Sequence, residues 1–139
     1  MLYLLTSRDF DTSGAIRKGA GALADSAIWN ASWREPMDLS NDLTLVIISS
    51  KNCPFCVALK PIIQSLAKRC NVALIEDDPT FIQLIQSDKT PLQIPEGKYP
   101  YSGVPIITAF KYGRFVDAFV NTPRTETNIY KWLSQYQGV

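Results

Sequence analysis

The chain has 139 residues, of which 46% are hydrophobic and 19% charged, and 14 basic against 13 acidic side chains leave a net charge of +1. That length suffices for one domain with its own core, the composition is too apolar for a disordered chain, and the near-neutral balance excludes a whole-molecule field directed at nucleic acid or an anionic membrane. The absence of histidine removes the commonest metal ligand and general base, so chemistry falls to cysteine, carboxylate, lysine or tyrosine.

The opening "MLYLLTSRDFDT" is apolar for five residues and then meets Arg8, Asp9 and Asp11. It lacks the basic start and longer apolar core of a secretion signal, and no window approaches the ~18 apolar residues that span a bilayer. We therefore expect a cytoplasmic protein with no membrane or nucleic-acid partner. Three cysteines, one close pair and one outlier, agree with a reducing compartment.

Residues 2 to 5 read as a strand, followed by the turn-forming "TSRDFDTSG". In "GAIRKGAGALADSAIW", Ile16, Ala20, Leu23, Ala27 and Ile28 recur at helical spacing, which predicts a helix weakened by Gly14, Gly19 and Gly21. After the polar connector "REPMDLSND", the β-branched run Leu43 to Ser49 predicts a central strand covered on both faces. Val57, Ile62, Ile63, Leu66 and Ala67 share one face of a helix expected over about 54–69, with Pro61 inside it as a kink near Leu59.

"NVALIED" predicts a second buried strand and "PTFIQLIQ" a short helix capped by Asp78. The stretch 88–103 holds three prolines and no apolar period, so it is an extended loop in which Tyr99 and Tyr101 are candidates to line a peptide groove. Trp29 and Trp33 are further candidates for such a groove, with cover of a core edge the favoured reading for Trp29. "VPIITAF" and "RFVDAFV" flank the turn "KYG" as a hairpin. Thr122 is the expected cap of the last helix, with Pro123 at its first position and Ile129, Trp132, Leu133 and Tyr136 facing inward. The order, a parallel pair followed by an antiparallel hairpin and a helix, is an α/β fold: a mixed central sheet flanked by helices, with an N-terminal βα extension.

The stretch "SSKNCPFCVALKP" carries the chemistry. Cys53 falls at the end of a buried strand and the start of a helix, where free backbone amides and the helix dipole favour a thiolate, so it is the candidate nucleophile. Cys56, one turn later on the same side, is the candidate resolving thiol. Packing alone would require neither the helix start nor Pro54. A tetrahedral zinc site needs four ligands, which Cys70 and scattered carboxylates supply poorly, so no metal is expected. Cys70 reads as a small core or near-surface residue, Lys51 and Lys60 as solvated, and Glu76, Asp77 and Asp78 as a solvated loop start.

"CPFCVALK" resembles the active-site segment of glutaredoxins, which carry tyrosine at the position of Phe55, while Pro61 resembles the helix proline of thioredoxins. "LTSRDFDT" and "GVPIITAFKYGRFV" are similar to the first strand and to the cis-proline segment of thioredoxins, so the resemblance to the thioredoxin superfamily covers residues 1–12 and 43–137. It implies a single thioredoxin-like domain over 1–139, with an insertion at about 13–42. It further implies a cis bond before Pro105, Val104 against the cysteines, and a substrate-binding surface of Pro54, Phe55, Val104 and Pro105. The chain departs from the family at Ile47, where thioredoxins carry an aspartate, and at Asn52, where they carry tryptophan, and the glycine-rich glutathione site of glutaredoxins is not evident.

The activity implied is thiol–disulfide exchange on protein disulfides through Cys53 and Cys56, with the Cys53–Cys56 disulfide as the redox centre, no other cofactor, and a reductase or glutathione as electron donor. Two alternatives stand beside it: a binding or adapter module with a non-essential cysteine pair, and glutathione-dependent binding of an iron–sulfur cluster.

Overall fold

The structure is a computed structural model that describes residues 2–10, 15–17, 22–23, 43–80, 104–120 and 122–137. The loop expected over 88–103 and most of the insertion expected over 13–42, with Trp29, Trp33, Tyr99 and Tyr101, lie outside these residues.

The strands are β1 (Leu2–Leu4), β2 (Ala22–Leu23), β3 (Thr44–Ser49), β4 (Asn71–Glu76), β5 (Ile106–Lys111) and β6 (Arg114–Ala118). Among the described residues they form one sheet in the order β2-β1-β4-β3-β5-β6. β3 pairs parallel with β4 and antiparallel with β5, so the run Leu43 to Ser49 does occupy the centre. Its burial on both faces explains why it is continuously apolar. Leu45 and Ile47 face one core with Leu59, Ile63, Leu66, Ile129 and Leu133, whereas Val46 and Ile48 face another with Tyr3, Phe10, Ile16 and Phe110.

Helices α1 (Pro54–Leu66) and α2 (Glu126–Ser134) both cover the first of these cores. The inward face of α1 is Cys56, Leu59, Ile63 and Leu66. Val57, expected inside, is instead 48% exposed. Cys56 and Leu59 are spaced by three and Leu59 and Ile63 by four, so the buried stripe runs through them and leaves Val57 on the outer side. The helix continues through Pro61 and ends at Leu66, earlier than the expected residue 69, with Ala67 as its C-cap.

The helix expected over 14–28 is not what the described part of that segment forms. Ala22–Leu23 pair antiparallel with Leu4 and Tyr3, and Ile16 bridges Phe10. β1 is paired with β4 on one side only, and filling its open edge gives the backbone of this glycine-weakened segment hydrogen bonds that a helix would otherwise have had to supply. The N-terminal extension therefore comprises β1, a 3-10 turn at Ser7–Asp9 closed by a Thr6–Asp9 capping box, and β2. The helix expected from Pro79 begins there, with Asp78 Oδ1 accepting from the Thr80 amide at 3.0 Å, and its remainder lies outside the described residues.

The last helix starts three residues later than expected. Thr125, not Thr122, is its N-cap, accepting from the Asn128 amide at 3.1 Å, while the Thr122 hydroxyl turns back to the Val120 carbonyl at 3.2 Å. Glu126 then falls in the first turn, where the helix dipole favours a carboxylate. Among the described residues no helix is long and apolar enough to cross a membrane.

Candidate active site

β3 delivers the chain to a short turn at residues 50–52, from which Cys53 opens α1 as its N-cap. The extended backbone of Cys53, with φ −95° and ψ 116°, is the geometry a cap requires, and Pro54 at the first helical turn sacrifices no hydrogen bond. The Cys53 sulfur takes the acceptor role of a capping oxygen, receiving the Cys56 amide at 3.3 Å. The turn is held from β4: Asp77, with φ 53°, accepts the Lys51 amide at 3.2 and 3.3 Å and donates its own amide to the Ser49 carbonyl at 3.0 Å. An aspartate tolerates this left-handed backbone better than most residues.

Both thiols are free. Cys53 is half-buried and Cys56 buried, 4% exposed. Partial burial of Cys53 acts to raise its pKa, but it is outweighed by hydrogen bonds from the Cys56 thiol and from the Cys56 and Phe55 amides, and by the charge of Arg124; the result lies below the ordinary value of 9.0. Cys56 moves the other way, pushed up to about 12 by burial, by the proton it shares with Cys53 and by the negative charge there, against the Ser50 amide and Arg124, which pull it down. Cys53 is thus the more readily ionised member of the pair, and Cys56 the one that retains its proton and donates it in a hydrogen bond.

The segment that leads into β5 closes the site. The Val104–Pro105 peptide bond is cis, Pro105 is buried, and the Val104 carbonyl lies 3.5 Å from the Cys53 sulfur, so a protonated Cys53 donates to it. Val104 itself packs on the core of Val46 and Ile48. Pro54 is exposed and Phe55 is 67% exposed, so both flank the nucleophile from the solvent side. The structure thus brings Cys53, Pro54, Phe55, Cys56, Val104 and Pro105 to one end of the sheet. Ile47, in the position of the family's aspartate, is fully buried and apolar, and Glu76 and Asp77 are not among the groups that shift Cys56. Cys70 is remote in role, its thiol donating to the Leu66 carbonyl at 3.3 Å and its pKa raised by burial.

The charge of Arg124, 71 positions from Cys53 in an unremarkable "NTPRTET", acts to lower both thiols, a contribution that sequence reasoning missed. Asp77, read from sequence as merely solvated, is a support of the active turn. Among the described residues no group of three or more Cys, Asp, Glu or His is gathered so as to hold a metal.

No family model matches the chain, and no curated protein sequence matches it significantly. Solved structures do match. A mutant thioredoxin from Halobacterium salinarum NRC-1 superposes with a TM-score of 0.51 at 23% identity, over 73% of this chain and 80% of that one. The reduced thioredoxin pre-protein of Schistosoma mansoni gives 0.50 at 15% identity, over 70% and 81%. The J-Trx1 fragment of ERdj5 gives 0.56 at 16% identity over 97% of this chain, which spans about half the length of that fragment, 51%. The chain has the thioredoxin fold: β3, α1, β4, the β5–β6 hairpin and α2, with a cysteine pair at the start of α1.

Proposed function

We propose that the protein is a thiol–disulfide oxidoreductase acting on protein disulfides. The observation that carries this reading is the opposite displacement of two thiols that share a proton at the start of one helix, Cys53 below the ordinary value and Cys56 up to about 12. A structural pair has no need of that difference, whereas exchange chemistry requires one thiolate to attack and one thiol to wait.

The Cys53 thiolate attacks one sulfur of a substrate disulfide; the substrate S–S bond breaks, the first substrate thiolate leaves and takes a proton, and a mixed disulfide forms on Cys53. Cys56 then loses its proton and attacks the Cys53 sulfur. The second substrate thiolate departs, and two electrons have passed from the enzyme dithiol to the substrate, leaving a Cys53–Cys56 disulfide. Val104 offers backbone to the substrate chain, and Phe55 and Pro54 offer apolar surface. No cofactor beyond this disulfide is needed. Glutathione or a reductase returns the pair to the dithiol, and the cytoplasm is the compartment that would keep it so.

Reduction of insulin disulfides tests this. Cys53→Ser abolishes turnover, and Cys56→Ser accumulates a mixed disulfide at Cys53 visible by mass. A wild-type protein without insulin reductase activity, or a Cys53→Ser variant that retains it, contradicts the reading and favours a binding module instead.

A further inference from the structure

Every exposed position of α1 carries an apolar side chain: Pro54, Phe55, Val57, Ala58 and Pro61. The helix has one charged residue, Lys60, and it is half-buried, as are Gln64 and Ser65. Ser65 Oγ is engaged with Glu126 at 2.7 Å. Among the described residues three large hydrophobic side chains are exposed, Phe55 at 67%, Val57 at 48% and Tyr112, and two of the three lie in the first turn of this one helix. A helix that covers a core and meets only water on its other side carries polar residues there, whereas an apolar outer face marks a surface that meets a partner.

The face is continuous with the nucleophile. Cys53 caps α1, the Val57 amide donates to the Cys53 carbonyl at 3.0 Å, and Pro61 lies a further turn on, so the three form one i, i+4, i+8 row. At 1.5 Å of rise per residue, Val57 lies about 6 Å and Pro61 about 12 Å along the axis from Cys53. An extended chain advances about 3.3 Å per residue and turns alternate side chains to the same side. Residues two and four positions from a reacting cysteine therefore fall at about 6.6 and about 13 Å, close to the two steps of the row.

Size and position identify the occupant. A strip about 12 Å long on a helix about 10 Å wide is far below the about 800 Å² per partner that a stable dimer buries. A lasting partner on this row would also cover Cys53, whose half-buried sulfur lies 3.5 Å from the Val104 carbonyl. The occupant must arrive and leave with the reaction.

We propose that the outer face of α1 is a docking strip for the substrate protein itself: an extended segment with large apolar side chains two and four positions from the cysteine that reacts at Cys53. The proposal rests on Cys53 being the nucleophile of the exchange reaction, and it extends the apolar surface of Pro54 and Phe55 by a row that selects for sequence.

Peptides test this in a single step. Each carries one cysteine in disulfide linkage to thionitrobenzoate, with leucine or serine at the second and fourth positions, on the N-terminal side in one pair and on the C-terminal side in the other. The Cys53 thiolate attacks the peptide sulfur, the peptide–thionitrobenzoate S–S bond breaks, a Cys53–peptide disulfide forms, and coloured thionitrobenzoate departs with the electron pair. The reduced protein should react about three- to tenfold faster with leucine than with serine in one of the two pairs, which names the side. Val57→Gln should remove most of that preference and Ala58→Gln part of it; both positions are exposed and glutamine suits a helix. Lys68→Gln, beyond the end of α1, should leave it unchanged.

Equal rates for leucine and serine in both pairs overturn the proposal, as does a preference that survives both Val57→Gln and Ala58→Gln. A reduced protein that releases no thionitrobenzoate from any peptide overturns the exchange reading and the strip with it, an outcome distinct from equal rates. Sedimentation of the reduced protein adds one more arm: a dimer that Val57→Gln dissolves would assign the strip to a second copy and overturn the substrate's place on it.

Discussion

Cys53 and Cys56 carry the same side chain, and their chemistry differs because one caps a helix and the other lies a turn inside it, beneath the surface. The thiolate of Cys53 is held by amides that no helical carbonyl claims, while Cys56 faces burial and the charge of its partner. Alkylation followed against pH should therefore show Cys53 reacting with a midpoint below 9.0, and Cys56 staying silent until the approach to pH 12. Reaction of Cys56 or Cys70 ahead of Cys53 would reverse the assignment. The same displacements enter stability with opposite signs. Cys53, lowered in the folded state, stabilises the reduced protein above pH 9.0, and this is lost as pH falls through its folded value. Cys56, raised, contributes fully below pH 9.0 and loses that contribution as pH rises towards 12.

At the scale of elements, α2 is fastened to β6 through one carboxylate. Asp117 accepts from Trp132 Nε1 at 3.0 Å and from the Tyr136 hydroxyl, and its other oxygen takes the Ala118 amide at 2.9 Å. Trp132 stacks edge-on between Phe119 and Tyr136. Removing a charged acceptor from such a network costs about 1.5–3 kcal/mol per bond, so Asp117→Ala should lower the urea midpoint by an amount equivalent to at least ~2 kcal/mol, and Asp117→Asn by less. Tyr136 is pushed up to about 12 from 10.0 by burial, by that hydrogen bond and by the Asp117 charge. It stays protonated in the folded protein while the unfolded chain ionises, so a stabilisation complete below pH 10 is lost as pH rises towards 12. Urea titrations of Tyr136→Phe across this interval should show that portion of the loss removed.

Turns carry their own test. Tyr112 and Gly113, between β5 and β6, have φ of 53° and 76°. Glycine accepts this without strain, but a tyrosine in the left-handed region costs about 1–2 kcal/mol, offset in part here by Lys111 Nζ lying 5.5 Å from its ring centroid. Asn-Gly suits such a tight hairpin turn, and Tyr112→Asn should raise stability by about 0.5–1 kcal/mol in urea denaturation. Asp77→Ala should do the reverse, losing the bond to the Lys51 amide and placing a Cβ with no polar compensation at φ 53°; a cost of about 1–2 kcal/mol is expected, and less for Asp77→Asn. No change on Asp77→Ala would remove Asp77 from the support of the active turn.

For the molecule as a whole, the redox couple integrates these local effects. In the exchange reaction proposed above, stabilising one thiolate stabilises the reduced protein, which makes the couple more oxidising. We expect a potential above the about −270 mV of thioredoxin and close to the about −200 to −230 mV of glutaredoxins. With Cys56 held at about 12 and Ile47 buried where a proton acceptor would stand, turnover should also rise steeply with pH. Equilibration in a glutathione buffer, read by mass shift, measures the potential; a value at or below about −270 mV with a flat pH profile would show another group accepting the Cys56 proton.

Local pattern determined a great deal on its own. The apolar run from Leu43 to Ser49, the helix after Pro54, the hairpin around Tyr112–Gly113 and the placing of Cys53 and Cys56 at the start of that helix rest on periodicity, caps and turn chemistry, which act over a few residues. The same local signals misplaced what neighbours in space decide. Ala22–Leu23 joined the open edge of β1, an edge that exists only once β1 has paired with β4. Thr125 prevailed over Thr122, two caps of equal local merit, once the segment leaving β6 had placed the Pro123 carbonyl within reach of Thr125 and Asn128. The influence of Arg124 on the two thiols was out of reach of any sequence pattern, because it is a long-range effect between residues 71 positions apart that exists only in the folded chain.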